Sequence, residues 1–187
     1  LKRTDLKQMT LAWATEMYVG HWDGYATNRN TFYLHSDASG KFRMFPWGTD
    51  QTWNGLQDLY LADAGQAIMV SKCLSYSPCK AMYTDSLTYV WYKAQYIGLD
   101  SMPRDIYDGI LASSMGPQTD PYLSCDQGCA DYHVEAMSYF MNYRISQVAA
   151  IAKPLALTKP ALSTKLSSRT ISLSWAARKV PGVSITR

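Results

Sequence analysis

Leu6, Met9, Trp13 and Met17 recur three or four positions apart, so they fall on one helical face and predict an amphipathic helix over residues 5–19. Asp5 is placed to cap its first turn, Gln8 follows three residues later as in a capping box, and Gly20 stands just past its end. The helical period then stops. A polar stretch, HWDGYATNRN (residues 21–30), leads into TFYLH (31–35), SDASG (36–40) and KFRMF (41–45). Alternating apolar positions on both sides of a glycine-containing turn predict a β-hairpin ending at Pro46. PWGTDQTW (46–53) reads as a second loop.

The helical period returns over residues 61–74. Ser77-Pro78 opens a longer helix, since proline suits the first helical position, and Tyr83, Leu87, Val90, Trp91 and Ala94 supply its buried side. Another helix is predicted over 105–113, then a Gly/Pro/Ser-containing loop over 114–127. A last helix over 132–151 follows, with the stripe Val134, Met137, Phe140 or Met141, Ile145 and Val148. After Lys153 the pattern changes. Pro154 and Pro160 bracket a short linker, and TISLSW (170–175) alternates like a half-buried strand, as at the start of a β-sandwich module. The chain is therefore expected to be α+β and mostly helical, with a domain over 1–153 and a linker with the start of a second module over 154–187.

The apolar fraction of 47% against 18% charged residues excludes wholesale disorder, because such a chain buries enough apolar surface to offset its entropy. A balance of 18 basic to 15 acidic side chains, +3 overall and dispersed, gives no footprint for nucleic acid or a membrane surface. No apolar run approaches the length of a membrane span. The start, Leu1-Lys2-Arg3-Thr4-Asp5, has neither an initiator methionine nor a signal-peptide core, so the chain is expected to be an excerpt. Fourteen tyrosines and six tryptophans leave room for an exposed aromatic surface, and a carbohydrate-binding face is one reading of that composition.

The sharpest candidate chemistry lies in the two loops. His21-Trp22-Asp23 followed by Asn28 repeats the aspartate-to-asparagine interval of a kinase catalytic loop, H-R-D-x-x-x-x-N. There the loop follows a long helix and precedes a two-stranded ribbon that delivers a metal-binding aspartate, the place that Asp50 takes here. Phosphoryl transfer needs a hard cation on the phosphate oxygens, which Asn28 and Asp50 can hold through oxygen. It also needs a carboxylate to orient the acceptor hydroxyl and take its proton, for which Asp23 is the candidate. Asp and Asn are also ordinary turn formers, so the spacing alone is weak evidence. His21 reads as a structural hydrogen-bonding residue. Trp22, Trp47 and Trp53 read as packing residues, although a tryptophan beside a metal aspartate could stack on a nucleotide base.

ATEMYVGHWDGYATNRNTFYLH followed by GKFRMFPWGTDQTW resembles the signature half of the CotH kinases, the family named for spore coat protein H, over residues 14–53 and more loosely to about residue 152. These are atypical protein kinases on secreted and surface proteins of bacteria and some eukaryotes. The resemblance implies a protein-kinase-like C-terminal lobe, ATP and Mg²⁺ or Mn²⁺ as cofactors, and a protein substrate phosphorylated on serine or threonine. It places the catalytic aspartate on Asp23 and the metal ligands on Asn28 or Asn30 and on Asp50; Trp47, in the loop beside Asp50, is the tryptophan taken as nucleotide-binding. It implies an extracellular or cell-surface setting, bacterial in source. Asp50 is followed by Gln51-Thr52 where protein kinases have Phe-Gly. The N-terminal lobe with its phosphate-gripping lysine is expected upstream of Leu1, and the apolar surface facing it near Trp47 and Trp53. A non-catalytic kinase-like module of a surface protein is the alternative.

The four cysteines form two local pairs, Cys73 with Cys79 and Cys125 with Cys129. Four cysteines permit three connectivities. Neither spacing is the C-x2-C of common zinc sites and His133 is the only nearby histidine, so disulfides within each local pair are expected over a zinc site, with free thiols as the remaining possibility. Disulfides accord with the extracytoplasmic setting that the resemblance implies.

Overall fold

The computed structural model describes residues 3–53, 58–60, 67–113 and 126–152, and the backbone of 162–167 and 170–175. Helix α1 spans Leu6–Tyr18, and Asp5 caps it by accepting the Gln8 amide at 3.2 Å. Gly20 adopts a positive φ of 62° just beyond its end, the left-handed turn that glycine makes without steric cost. The helix is not amphipathic in the simple sense its spacing predicts. Besides Met9, Trp13 and Met17, it buries Thr10, Ala12, Ala14, Glu16 and Tyr18, because it runs through the middle of the unit with neighbours on several sides.

Strands β1 (Phe32–Ser36) and β2 (Phe42–Pro46) form the expected antiparallel hairpin, with Leu34 opposite Met44 and Tyr33 opposite Phe45. Gln8 fixes this hairpin onto α1. Its side-chain amide accepts from Met44 N at 2.9 Å and donates to Met44 O at 2.5 Å, standing in for a neighbouring strand. Met44 is fully buried, and its sulfur receives the Trp13 indole N–H at 3.1 Å.

Helix α2 covers Ile68–Ser75 and α3 covers Ser77–Tyr96, with Pro78 in the first turn of α3 as expected. Ala67 is already extended, so α2 begins at Ile68; residues 61–66, where the helix was expected to start, lie outside the described residues. Cys73 and Cys79 are joined by a disulfide across the α2–α3 junction. Cys129 is disulfide-bonded as well, while Cys125 lies outside the described residues.

Helix α4 spans Met102–Ala112, three residues earlier than expected, with Pro103 in its first turn. Helix α5 spans Gln127–Ala149 and begins five residues before the expected Tyr132, because Asp126 caps it by accepting the Cys129 amide at 2.9 Å. It buries Phe140, Met141 and Val148, and also Arg144, which lies over the Phe140 ring and donates to Gln147 at 2.8 Å.

Contacts divide the chain into two units, Leu1–Lys153 and Pro154–Arg187. In the second, β3 (Leu162–Ser167) pairs antiparallel with β4 (Thr170–Trp175), the stretch whose alternation predicts a strand. The chain is thus α+β and mostly helical. Among the described residues no helix is long and apolar enough to cross a membrane.

Candidate functional site

Two polar side chains from the loop after α1 converge on one carboxylate, that of Asp23. Asn28 donates its side-chain N–H to Asp23 Oδ1 at 2.6 Å, and Asn30 donates to Asp23 Oδ2 at 3.1 Å. Each asparagine turns its amide nitrogen to Asp23, so each retains a carbonyl oxygen for another partner. Both proposed identities of the asparagine ligand are therefore brought to the same aspartate, at a site open to solvent.

The loop is held from beneath. Tyr25 is buried between Trp13 and Phe32, its ring stacked 6.1 Å from the first and edge-on 4.8 Å from the second, and its hydroxyl receives the Met69 amide. Thr31 donates to the Asp23 carbonyl at 2.6 Å. The Thr27 hydroxyl donates to the carbonyls of His21 and Trp22. His21 is buried and structural, as expected: its Nε2 lies 3.1 Å from Gly48 O and 3.3 Å from Thr31 Oγ1. The protonated Nε2 tautomer suits this network, donating to Gly48 O while Thr31 gives its own proton to Asp23.

Asp50 arrives from the other side of the hairpin, in a 3₁₀ turn at Thr49–Gln51. It does not hydrogen-bond Asp23, Asn28 or Asn30; its Oδ2 receives the Gln51 side-chain N–H at 3.1 Å. Gln51 nevertheless ties the two loops together. Its side-chain oxygen accepts the Trp22 indole N–H at 2.9 Å and its carbonyl accepts the Trp22 amide at 3.3 Å. Asp23 and Asp50 are thus each one residue from a doubly bonded pair.

Backbone strain gathers in the same loops. Among the described residues the non-glycine positive φ angles belong to Arg29 (59°), Thr31 (40°) and Trp53 (61°), conformations that persist only where surrounding contacts hold them. Gly48 is also left-handed at 60°, and a Cβ added there would sit 3.0 Å from the Thr31 methyl, so a side chain would meet both strain and crowding.

Trp47 is half exposed and stacks on Tyr33, ring centres 5.8 Å apart at 27°, so its ring already has one aromatic neighbour. Trp53, read as a packing residue, packs edge-on against Phe140 at 5.9 Å and is partly buried against the core. An apolar cavity bordered by Leu6, Met9, Trp13, Met69 and Tyr76 includes none of the Asp23 and Asp50 loop residues.

The residue that the pattern does not reveal is Glu16. It is 2% exposed on α1, its Oε2 accepts the Ala26 amide at 3.0 Å, and desolvation lifts its carboxyl from 4.5 to about 7. The signal available was a lone carboxylate in LAWATEMY, a segment otherwise nearly free of charge. Comparison with protein-family models and with curated proteins finds no match for this chain.

Proposed function

We propose that this chain is the mostly helical C-terminal half of a secreted or cell-surface CotH-type kinase, serving ATP- and metal-dependent phosphoryl transfer to serine or threonine of a protein. The observation that carries the reading is the clamp of Asn28 and Asn30 on Asp23, linked through Trp22 and Gln51 to the turn that carries Asp50. A merely structural loop has no need to draw two amides onto one carboxylate and to bond that loop to the turn carrying a second. The Cys73–Cys79 bridge accords with an oxidising, extracytoplasmic compartment.

The donor set fits Mg²⁺ or Mn²⁺. It consists of carboxylate and amide oxygens, hard ligands accessible to solvent, without thiolate or imidazole. Asn28, Asn30 and Asp50 would hold the ion. Bound there, it would neutralise charge on the phosphate oxygens of ATP. The chain's own residues do the rest. Asp23, fixed in orientation by two donated hydrogen bonds, receives the acceptor hydroxyl and accepts its proton. Thr31 and His21 keep the loop backbone in place under it, and Trp47 offers an exposed aromatic edge to the adenine.

A labelled-ATP assay on a protein that includes the lobe expected before Leu1 tests this. Asp23→Ala and Asp50→Ala should each reduce transfer by about 100-fold or more, and residues 1–187 alone should be inactive. Full activity of Asp50→Ala would remove Asp50 from the reading.

A further inference from the structure

The underside of the Asp23 loop rests on a carboxyl group. Gly24 lies so close to Glu16 that a methyl group on it would sit 2.9 Å from Glu16 Cδ and 3.0 Å from both Glu16 Oε2 and His21 Nδ1. The backbone amides of Ala26 and Tyr25 donate toward this carboxyl. Glu16 Oε1, by contrast, is buried without a hydrogen-bond partner among the described residues. Of titratable side chains, His21 faces it from the loop and Tyr83 from α3. Arg144 of α5 acts on Tyr18 and Tyr83, and β2 packs on α1 through uncharged Met44. Among the described residues no ion pair reaches Glu16.

We infer that Glu16 is a pH-sensitive positioning residue for the Asp23 loop: its neutral carboxyl holds the turn over 21–26 against α1, and its ionisation loosens that turn. The physical chain is short. The amides of Ala26 and Tyr25 favour the ionised carboxylate, but burial opposes it more strongly and Oε1 meets no donor among the described residues, a costly arrangement that water or a new donor must relieve. The seam through which relief can come is Gly24, because no side chain stands between it and the carboxyl. Movement there is passed on by the bonds already described, from the Asp23 carbonyl to Thr31, and from His21 to Gly48 and the Asp50 turn. Burial raises the carboxyl to about 7, which places the transition near neutral pH. The inference concerns the loop's position and does not depend on which reaction the loop performs.

NMR on the isotope-labelled chain of residues 1–187 tests it. The Glu16 carboxyl carbon and the Trp22 indole N–H, which bonds Gln51 across the two loops, are followed from about pH 5 to about pH 9, spanning the raised value. Both should titrate with one midpoint near 7, and Glu16→Gln should hold the Trp22 signal at its low-pH position throughout. A Glu16 midpoint near the ordinary 4.5 would overturn the inference, and so would a Trp22 transition that survives in Glu16→Gln. Should that variant not fold, unequal midpoints for the two signals in the unaltered chain overturn it equally.

Discussion

Trp22 and Gln51 are joined twice, indole to side-chain oxygen at 2.9 Å and backbone to backbone at 3.3 Å, although 29 residues and a hairpin separate them. This pair makes one surface of the Asp23 loop and the Asp50 turn. Gln51→Ala removes the side-chain bond and releases Asp50 Oδ2 from its only hydrogen bond among the described residues. The bond is solvent-exposed, so the loss of stability in urea denaturation should stay at or below about 1 kcal/mol. The larger effect should be on Trp22, whose indole emission should shift toward that of a freely hydrated ring.

Gly24 and Gly109 should respond in opposite directions to alanine. At Gly24 the new methyl meets the buried Glu16 carboxyl and His21 ring, and overpacking of this kind costs about 1 to 3 kcal/mol. Gly109 sits in α4 with open space around it, so alanine there should stabilise by up to about 1 kcal/mol through helix propensity. Thermal unfolding of the two variants gives both signs.

Stability should fall as the pH rises from about 4.5 to about 7. Glu16 keeps its proton in the folded chain up to about 7, whereas the unfolded chain releases it near 4.5. Between those values the folded state binds more protons, so each increment of pH favours unfolding. Above about 7 the effect is complete, with a ceiling of about 3 kcal/mol. Glu16→Gln should flatten this part of the profile, as read from urea midpoints at several pH values.

Reduction of the Cys73–Cys79 bridge opens a loop of only six residues' separation. Loop entropy then gives a loss of about 2 kcal/mol, enough to lower the melting temperature but not to unfold the chain. Both cysteines are buried, so reduction should be slow until the α2–α3 junction opens. Thiol labelling against time, compared with melting curves, checks both points.

Features written in neighbouring residues were legible in the sequence. Asp5 and Gly20 mark the ends of α1, Ser77-Pro78 marks the start of α3, and the turn at 36–40 marks the hairpin, because each acts through its own backbone. The Asp23, Asn28 and Asn30 grouping was legible for the same reason, all three lying in one short loop. Glu16 and Arg144 were not. Each occupies a helix that buries more than one face, so a period computed for a single apolar stripe assigns them to solvent. Asp126 was hidden in a polar stretch of sequence, where one more aspartate does not announce a cap. Trp53 was read as a packing residue, but its partner Phe140 could not be named, because the position of α5 is set by contacts distant in sequence.

The most direct test of a single cation site shared by both loops is paramagnetic broadening by Mn²⁺ in the labelled chain of residues 1–187. Mn²⁺ should broaden the side-chain amides of Asn28 and Asn30 together with the backbone amides at Asp50 and Gln51, and Asp50→Ala should abolish the broadening at all four. Broadening centred elsewhere, or confined to one loop, or unchanged in Asp50→Ala, would contradict the shared site and with it the phosphoryl-transfer reading.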